Sequence, residues 1–469
     1  MSTARCIELS LRYLITCFYL KNIMIQSILW WLFFALLIFS LIIFIGFYLR
    51  GAFRDRVNYK VKHAPRPEDD NFPFVLASIT NSFITDGVIT DFWNEADAIQ
   101  QARLDAIGKA KHTIDFETFF MTPGKRADDF AAALATKASE GVEIKLVVDH
   151  YGTKDISEQY WKRLRGAGVK VSFFNSFKWR APLDYAGRTH RKLLLIDGEF
   201  GLVGGAGISD LWDGVEKKDD TQPWLDVEMR IEGEIISILA GVFSQHWTFD
   251  DGTADLSRIK FHNFNDKDRD RDEGEDKNED QDNEQNLMLV IPGANPRIRF
   301  SPIQAFKYNS IICARKRIWL ASPYFLPDEN SIDLLVAAKQ DGLDVRILTT
   351  SKRSDKKPVY YASYEHYGKL LKGGVEIYEF QPSMTHAKLL LIDDIWATTG
   401  SANFDPRSFC HNEELDISSA QPKLVEGIRD TFEKGFAQSE KVTYQEWKQR
   451  SLVKHRILGN AVDFFQWQL

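Results

Sequence analysis

The stretch THRKLLLID, residues 189–197, returns almost unchanged as THAKLLLID at residues 385–393. Eight of the nine positions are identical, although the two copies lie 196 residues apart. In each copy a histidine and a lysine stand two positions apart, directly before four apolar residues. Duplication of a stable strand explains the leucines, but it does not explain why both copies keep two polar residues at the strand's start. The repeat therefore predicts a duplicated fold whose two copies share one chemical task.

The resemblance between the two copies extends well beyond these nine residues. The run RGAGVKVSFF (165–174) resembles KGGVEIYEF (372–380), and small-residue turns at 204–207 and 400–403 begin 14 residues after each histidine. Strand and helix patterns alternate before each motif. This order predicts an α/β protein made of two homologous α/β/α sandwich halves, with mostly parallel sheets, packed about a pseudo-two-fold axis.

An uncharged run near the amino terminus predicts a transmembrane helix. Residues 27–49 carry no charge over 23 positions, which is long enough to cross a bilayer core of ~30 Å. More lysine and arginine residues follow this run than precede it, so the positive-inside tendency places the large carboxyl-terminal part in the cytoplasm. Met24 lies just before the run, and residues 1–23 are therefore interpreted as an upstream extension.

Charge and cysteine content reduce the number of possible functions. Residues 266–284 hold 11 acidic and 4 basic residues, which accounts for the whole net charge of −7. The remainder is formally neutral and lacks the basic field expected of a nucleic-acid binder. The four cysteines show no disulfide or metal-binding spacing. The predicted segments are an N-terminal extension (1–23), a transmembrane anchor (24–50), a linker (51–72), a first domain (73–260), an acidic disordered linker (261–290) and a second domain (291–469).

The paired polar residues suggest phosphoryl chemistry. On a strand, residues i and i+2 point the same way, so His190 projects with Lys192, and His386 projects with Lys388. If the strand starts face each other across one cleft, two ammonium groups neutralise a phosphate, one imidazole attacks phosphorus and the other protonates the leaving oxygen. Asp197 and Asp393 lie at odd offsets from the histidines, which favours a supporting ion-pair or turn role. No metal is required, and no compact ligand cluster is evident.

These motifs resemble the phospholipase D superfamily, and within it the bacterial cardiolipin synthases. The stretches that carry the resemblance are RTHRKLLLIDGEFGLVGG, SPYFLPD, GVEIYEFQPSMTHAKLLLIDD and GSANFDPRSFCHNEE. Together they extend the resemblance over roughly residues 73–469. The resemblance implies that the two catalytic motifs are formed by His190, Lys192, Asp197, His386, Lys388 and Asp393.

Four further residues receive roles from the resemblance. Ser401 and Asn403 match the polar turn that helps to bind phosphate, and Glu414 matches the acid that orients His386. Asp226 resembles the corresponding partner of His190. The first half departs from the family pattern, because Gly204-Gly205-Ala206-Gly207 lacks the asparagine found in many members. The nucleophile remains open between the two histidines, and the resemblance slightly favours His190.

The predicted reaction is transfer of a phosphatidyl group between two phosphatidylglycerol molecules, giving cardiolipin and glycerol without a cofactor. The runner-up is a phospholipase D that transfers the group to water; a nuclease and an inactive membrane scaffold rank below it. The predicted partners are a phospholipid substrate and the cell membrane, with no nucleic acid. The first half carries ten extra residues within NSFKWRAPLDYAGR, where Phe177, Lys178, Trp179 and Arg180 form either an amphipathic lip at the lipid surface or an ordinary surface loop.

Overall fold

The computed structural model describes residues 2–49, 61–176, 179, 187–214, 222–251, 259, 286–293 and 301–459. The chain forms two compact units, Met1–Asn58 and Tyr59–Leu469. Residues 51–60 of the predicted linker 51–72, residues 261–285 of the acidic tract 261–290, and Phe177, Lys178 and Arg180 of the predicted lip lie outside the described residues. Trp179 is described, and 77% of its surface is exposed.

The first unit contains helix α1, which spans Ser2–Leu49. Within it, Phe18–Gly46 is long and apolar enough to cross a membrane, and none of its most apolar stretch is buried. The apolar span therefore begins before the predicted anchor at residue 24. The helix also continues through most of the predicted extension 1–23, so no break in structure separates the two.

The second unit is an α/β body. Its helices are α2 (Phe72–Thr80), α3 (Ala96–Lys109), α4 (Lys125–Ser139), α5 (Glu158–Gly166), α6 (Ile235–Asp251), α7 (Pro302–Cys313), α8 (Glu329–Gln340), α9 (Lys357–Lys372), α10 (Pro406–Cys410), α11 (Pro422–Ala437) and α12 (Tyr444–Lys448). Its strands are β1 (Phe83–Asp86), β2 (Val88–Trp93), β3 (Thr113–Thr118), β4 (Glu143–Asp149), β5 (Lys170–Phe174), β6 (Leu193–Ile196), β7 (Phe200–Gly204), β8 (Glu228–Glu232), β9 (Leu287–Pro292), β10 (Arg317–Ser322), β11 (Asp344–Thr350), β12 (Glu376–Phe380), β13 (Leu389–Ile392), β14 (Trp396–Gly400), β15 (Leu415–Ser419) and β16 (Ser439–Val442). A 3₁₀ turn at Asp210–Asp213 and a π-helical segment at Leu452–Gly459 complete it.

The strands form two sheets of the same internal order, which confirms the predicted duplication. The seven-stranded sheet runs β2-β8-β7-β6-β3-β4-β5, and the nine-stranded sheet runs β1-β9-β15-β14-β13-β10-β11-β12-β16. The six strands β3 to β8 thus match β10 to β15 one for one. The fold class is confirmed as α/β with two homologous halves.

The expectation of mostly parallel sheets is wrong. Among the described strands, only β3–β4 and β4–β5 are parallel in the first sheet, and only β10–β11 and β11–β12 in the second. Helices α4, α5, α8 and α9 connect the strands of those parallel units. From each motif strand onward the chain turns back tightly, so β6–β7 and β13–β14 pair antiparallel.

The apolar run after each motif is buried on both faces of its sheet. Leu193 and Leu389 face a central core that also contains side chains of α6 and α11. Leu194 and Ile196 face the opposite way and pack with side chains of α4 and α5. Helices α6 and α11 therefore lie between the two sheets and join the halves into one body.

Two predicted domain boundaries differ from the structure. Strand β1, placed in the first domain by sequence, pairs with β9 in the sheet of the second half. Phe72 of α2 likewise packs in the core of the second half. Strand β9 starts at Leu287, inside the predicted acidic linker, because a short apolar run directly follows the charged tract.

Candidate active site

Backbone pairing between the halves brings the two motifs together. Thr189 forms a parallel bridge with Glu413, and Leu225 forms one with Thr385. The backbone N–H of His190 donates to the carbonyl oxygen of Glu413 at 2.8 Å, and that of His386 donates to Leu225 at 2.7 Å. Each motif is thus hydrogen-bonded to the segment of the other half that carries an acidic residue.

The acidic partners are crossed, which corrects the predicted pairing. His190 Nδ1 lies 3.0 Å from Oε2 of Glu414, and His386 Nδ1 lies 2.8 Å from Oδ2 of Asp226. The sequence assigned Glu414 to His386 and Asp226 to His190, each within its own half. The bridges between the halves reverse that assignment, because they place each motif beside the acid of the opposite half.

Both imidazoles are held neutral beside ionised carboxylates. Burial, the largest effect, lowers the pKa of His190 to about 4 and that of His386 to about 3. Burial acts to raise the pKa of Glu414 and Asp226, but the nearby imidazoles and lysines outweigh it and lower each carboxyl pKa to about 2. A neutral imidazole that donates its Nδ1 proton to a carboxylate leaves Nε2 unprotonated, ready to attack or to accept a proton.

The two motif lysines are buried close to the same place. Burial first, and then the charge of Lys388, lower the pKa of Lys192 to about 7. Burial lowers the pKa of Lys388 to about 8, with Asp226 and Glu414 acting in the opposite direction. Each ammonium group donates a hydrogen bond to the carbonyl oxygen of the histidine two residues before it. The pair is thus a concentrated positive charge suited to an anionic phosphoryl group.

Ser401 and Asn403 occupy different positions relative to the histidine. Ser401 Oγ donates to Oε2 of Glu414 at 2.5 Å, and its carbonyl oxygen lies 2.9 Å from His190 Nδ1. Ser401 therefore stabilises the pair formed by Glu414 and His190 through contacts with both side chains. Asn403 is 4% exposed, and its buried Oδ1 has no hydrogen-bond partner among the described residues. That amide oxygen is available to a ligand.

The glycine-rich turn of the first half packs against different side chains from the polar turn of the second half. A Cβ atom on Gly205 would overlap Oδ1 of Asp226, and one on Gly207 would lie 3.0 Å from the ring of Trp212. Trp212 Nε1 donates to Oδ2 of Asp226 at 2.9 Å. An indole thus supports Asp226, whereas in the second half Ser401 supports Glu414.

The motif aspartates lie in turns, away from the imidazoles. Asp197 accepts backbone N–H bonds from residues 111, 112 and 113, and Asp393 accepts them from residues 315, 316 and 317. Both adopt a φ of +55°. These contacts match the turn role inferred from the odd spacing, so Asp197 and Asp393 do not join the catalytic group of histidines and lysines.

A pocket opens beside His190. Its wall includes Phe119, Tyr324, Asn403 and three cationic residues: Arg188, Lys356 and Arg407. His386 instead lies against two indole rings, with centroid distances of 5.0 Å to Trp212 and 5.9 Å to Trp224. The sequence reading missed these residues; the only local signals were an arginine directly before the first motif and the tryptophans around Asp226.

A buried network braces the first motif strand. His246 Nδ1 lies 2.5 Å from Oε1 of Glu117, and the hydroxyl of Thr189 donates to the same oxygen. Nothing in the sequence pattern singled out Glu117 or His246, because the pairing joins residues 129 positions apart. Among the residues that the structure describes, no group of three or more histidine, cysteine or acidic side chains could hold a metal ion.

Known proteins resemble this chain over most of its length. Residues 104–247 and 309–435 match the family model described as cardiolipin synthase, PLD-like domain. Cardiolipin synthase 2 of Bacillus anthracis is 32% identical over 367 residues, covering 76% of this chain and 66% of that relative. Cardiolipin synthase 1 of Staphylococcus epidermidis is 31% identical over 378 residues, covering 79% of this chain and 72% of that relative. The chain thus spans just under two thirds of the Bacillus protein's length.

A solved structure shares the fold. Phosphatidylserine synthase of Haemophilus influenzae Rd KW20 superposes with a TM-score of 0.64, covering 85% of this chain and 99% of that chain. The two are 11% identical, so the likeness shows a common architecture and nothing about substrate. The duplicated halves, the crossed acid–imidazole pairs and these relatives point to a single family.

Proposed function

The chain belongs to the family of cardiolipin synthase, PLD-like domains, and from that premise we propose that it is a phosphatidyltransferase. The proposed reaction joins two phosphatidylglycerol molecules into cardiolipin and releases glycerol. The observation that carries the proposal is the crossed pairing of His190 with Glu414 and of His386 with Asp226. This pairing puts two neutral imidazoles, each backed by a carboxylate, in one site with two lysines.

The first step forms a covalent phosphatidyl-enzyme. Lys192 and Lys388 bind the phosphodiester of the donor lipid and neutralise its charge. That bound negative charge favours the protonated form of one imidazole. Nε2 of the other imidazole attacks phosphorus, so a P–N bond forms as the P–O bond to glycerol breaks. The protonated imidazole gives its proton to the departing glycerol oxygen.

The second step transfers the phosphatidyl group to the acceptor. The imidazole that protonated glycerol now removes a proton from a hydroxyl group of the second phosphatidylglycerol. The resulting oxygen attacks phosphorus, the P–N bond breaks and cardiolipin leaves. Glu414 and Asp226 hold each ring in one tautomer and stabilise the imidazolium form when it arises. The proton returns to the same imidazole, and the site is restored.

Membrane placement is part of the proposal. The apolar helix α1 and the cardiolipin synthase relatives support a membrane protein. We place α1 across the membrane once, with the α/β body on the cytoplasmic side, because basic residues follow the apolar span. A reporter enzyme fused after Leu469 should show cytoplasmic activity in cells. A reporter exported across the membrane would contradict this orientation.

A lipid-product assay tests the activity. Purified full-length protein is incubated with phosphatidylglycerol vesicles, and the lipids are resolved by mass. Cardiolipin together with free glycerol is the expected result. Formation of phosphatidic acid alone would indicate a hydrolase that uses water as acceptor. An unchanged lipid pool would indicate an inactive scaffold.

A further inference from the structure

The pocket beside His190 is more cationic than the corresponding place in the other half. The repeat register that equates His190 with His386 equates Arg188 with Met384. The same offset makes Ser209 equivalent to Asp405, and each of these residues caps the helical turn that follows it. Two residues further along, Leu211 is equivalent to Arg407. Met384 and Leu211 pack with the tryptophans near His386 in one apolar cluster. One end of the site is therefore apolar, and the other carries two additional arginines.

The pocket's cations are held in place by the surrounding structure. Arg188 is 3% exposed, and its Nη1 lies 3.3 Å from Oδ1 of Asp149, whose carboxylate also accepts backbone N–H bonds. Arg407 Nε donates to Oδ1 of Asn412 at 3.2 Å. Lys356 lies at the exposed mouth, with Nζ 5.1 Å from the centroid of the Tyr324 ring. The guanidinium groups are thus positioned before any ligand arrives.

The remaining polar groups of the wall suit a ligand that contains both phosphate and hydroxyl groups. The carboxylate of Asp405 accepts the backbone N–H of Ser408 at 2.7 Å and so caps α10. Asn403 Oδ1 is buried, faces no donor among the described residues and belongs to the wall of this pocket. A buried carbonyl oxygen without a donor is costly unless a ligand or water supplies one. A glycerol hydroxyl would supply it.

We propose that Arg188, Lys356 and Arg407 bind the phosphodiester of the acceptor phospholipid, while Asn403 accepts a hydrogen bond from its glycerol headgroup. This inference rests on the proposed transferase function. The donor phosphate already uses Lys192 and Lys388, so a second anionic lipid needs its own cations. Water as acceptor would need none. The pocket thereby distinguishes an anionic lipid acceptor from water and from neutral alcohols.

Two reactions that share one donor test the acceptor site. Cardiolipin formation needs an anionic acceptor, whereas exchange of labelled glycerol into phosphatidylglycerol uses the same donor and the same covalent intermediate with a neutral acceptor. Both are measured in the full-length protein for Arg188→Met and Arg407→Leu, which copy the equivalent residues of the other half, and for Lys356→Glu at the exposed mouth. Arg163→Met, an exposed arginine on α5, is the matched control.

The expected result is a selective loss. Each pocket variant should lower cardiolipin formation by about tenfold or more, the factor that corresponds to ~1.4 kcal/mol, while glycerol exchange stays within about twofold. Arg163→Met should leave both rates unchanged. An equal fall of both reactions in Lys356→Glu, with an unchanged melting temperature, would overturn the acceptor site. So would unchanged cardiolipin formation in all three variants. A wild-type protein that makes no cardiolipin would refute the proposed function itself.

Discussion

The two ends of the site share an imidazole–carboxylate pair but not an environment. Around His190 the carboxylate of Glu414 is supported by Ser401, and a cationic pocket opens to solvent. Around His386 the carboxylate of Asp226 is supported by the indole of Trp212, and the rings of Trp212 and Trp224 lie beside the imidazole. The imidazole–carboxylate pair is common to both ends, so the duplication has kept the proton-transfer unit and altered what surrounds it.

This difference indicates which features the chemistry requires twice and which it requires once. The proposed mechanism uses two acid-backed imidazoles, one for attack and one for protonation. Each half supplies one imidazole and the acid that backs the imidazole of the other half. An opening for an alcohol is needed at one end only. Arg188 and Arg407 lie at the His190 end, and Met384 and Leu211 hold the equivalent positions at the His386 end.

The largest expected effect comes from removing either imidazole. His190→Ala and His386→Ala should each lower turnover by ~10⁴-fold or more, because residues that act as a unit fail together. The measurement is the rate of cardiolipin formation, with circular dichroism as a check of folding. If one of the two variants retained a rate near that of the wild type, the two imidazoles would not be equally required for turnover.

The crossed carboxylates should come next. Glu414→Gln and Asp226→Asn should each lower kcat by ~10²–10⁴-fold, since each ring loses the charge that stabilises its imidazolium form. Nitrogen NMR of the labelled imidazoles then reports the pairing directly. Glu414→Gln should shift the Nδ1 resonance of His190 and leave that of His386 unchanged. The opposite pattern would show that each histidine pairs with the acid of its own half.

The positions of the motif residues could be predicted from the sequence, but their pairing could not. The four histidine and lysine residues stood out because the pattern repeats, and the polar turn and both acids were assigned by the family resemblance. The crossing depends on bridges such as Thr189–Glu413, which join distant residues across the interface of the halves. Trp212 was missed for the same reason, because tertiary packing brings it to the imidazole of His386. Arg188 stands two residues before His190, but a single arginine carries no pattern that marks it. The antiparallel hairpins after each motif were likewise hidden by strand runs buried on both faces.

Exchanging the turn residues of the two ends should have unequal effects. Gly205→Ser adds a Cβ atom that overlaps Asp226 Oδ1, and this overlap must move the carboxylate away from His386. Ser401→Gly removes one hydrogen bond to Glu414. We expect a fall in kcat of ~10–100-fold for Gly205→Ser and of no more than about tenfold for Ser401→Gly. Equal effects would show that the two turns are interchangeable.

The lysine pair predicts a loss of activity in mildly alkaline solution. An ammonium group is charged below its pKa and neutral above it, and burial lowers the pKa of Lys192 to about 7 and that of Lys388 to about 8. Since the mechanism uses both charges, kcat/KM should fall by about tenfold per pH unit between the two values and by about a hundredfold per pH unit above the higher one. A profile that remains flat to pH 10 would mean that the lysines keep their charge throughout.

The smallest effect on catalysis should come from the motif aspartates. Asp197→Ala leaves three backbone N–H groups without their acceptor, so the free energy of unfolding should fall by ~1–3 kcal/mol. The kcat of the folded protein should stay near wild type, because this carboxylate does not contact the imidazoles. Asp393→Ala should behave alike at the other end. Denaturant unfolding and steady-state kinetics on the same samples separate the two effects.

The central claim is that both histidine–lysine pairs act on one phosphorus atom. A crystal structure of the protein soaked with vanadate, which mimics a five-coordinate phosphoryl group, tests this directly. We expect one vanadate ion that contacts the Nε2 atoms of His190 and His386 on opposite sides and both lysine ammonium groups around its equator. Two vanadate ions in separate pockets, each touching a single imidazole, would contradict it.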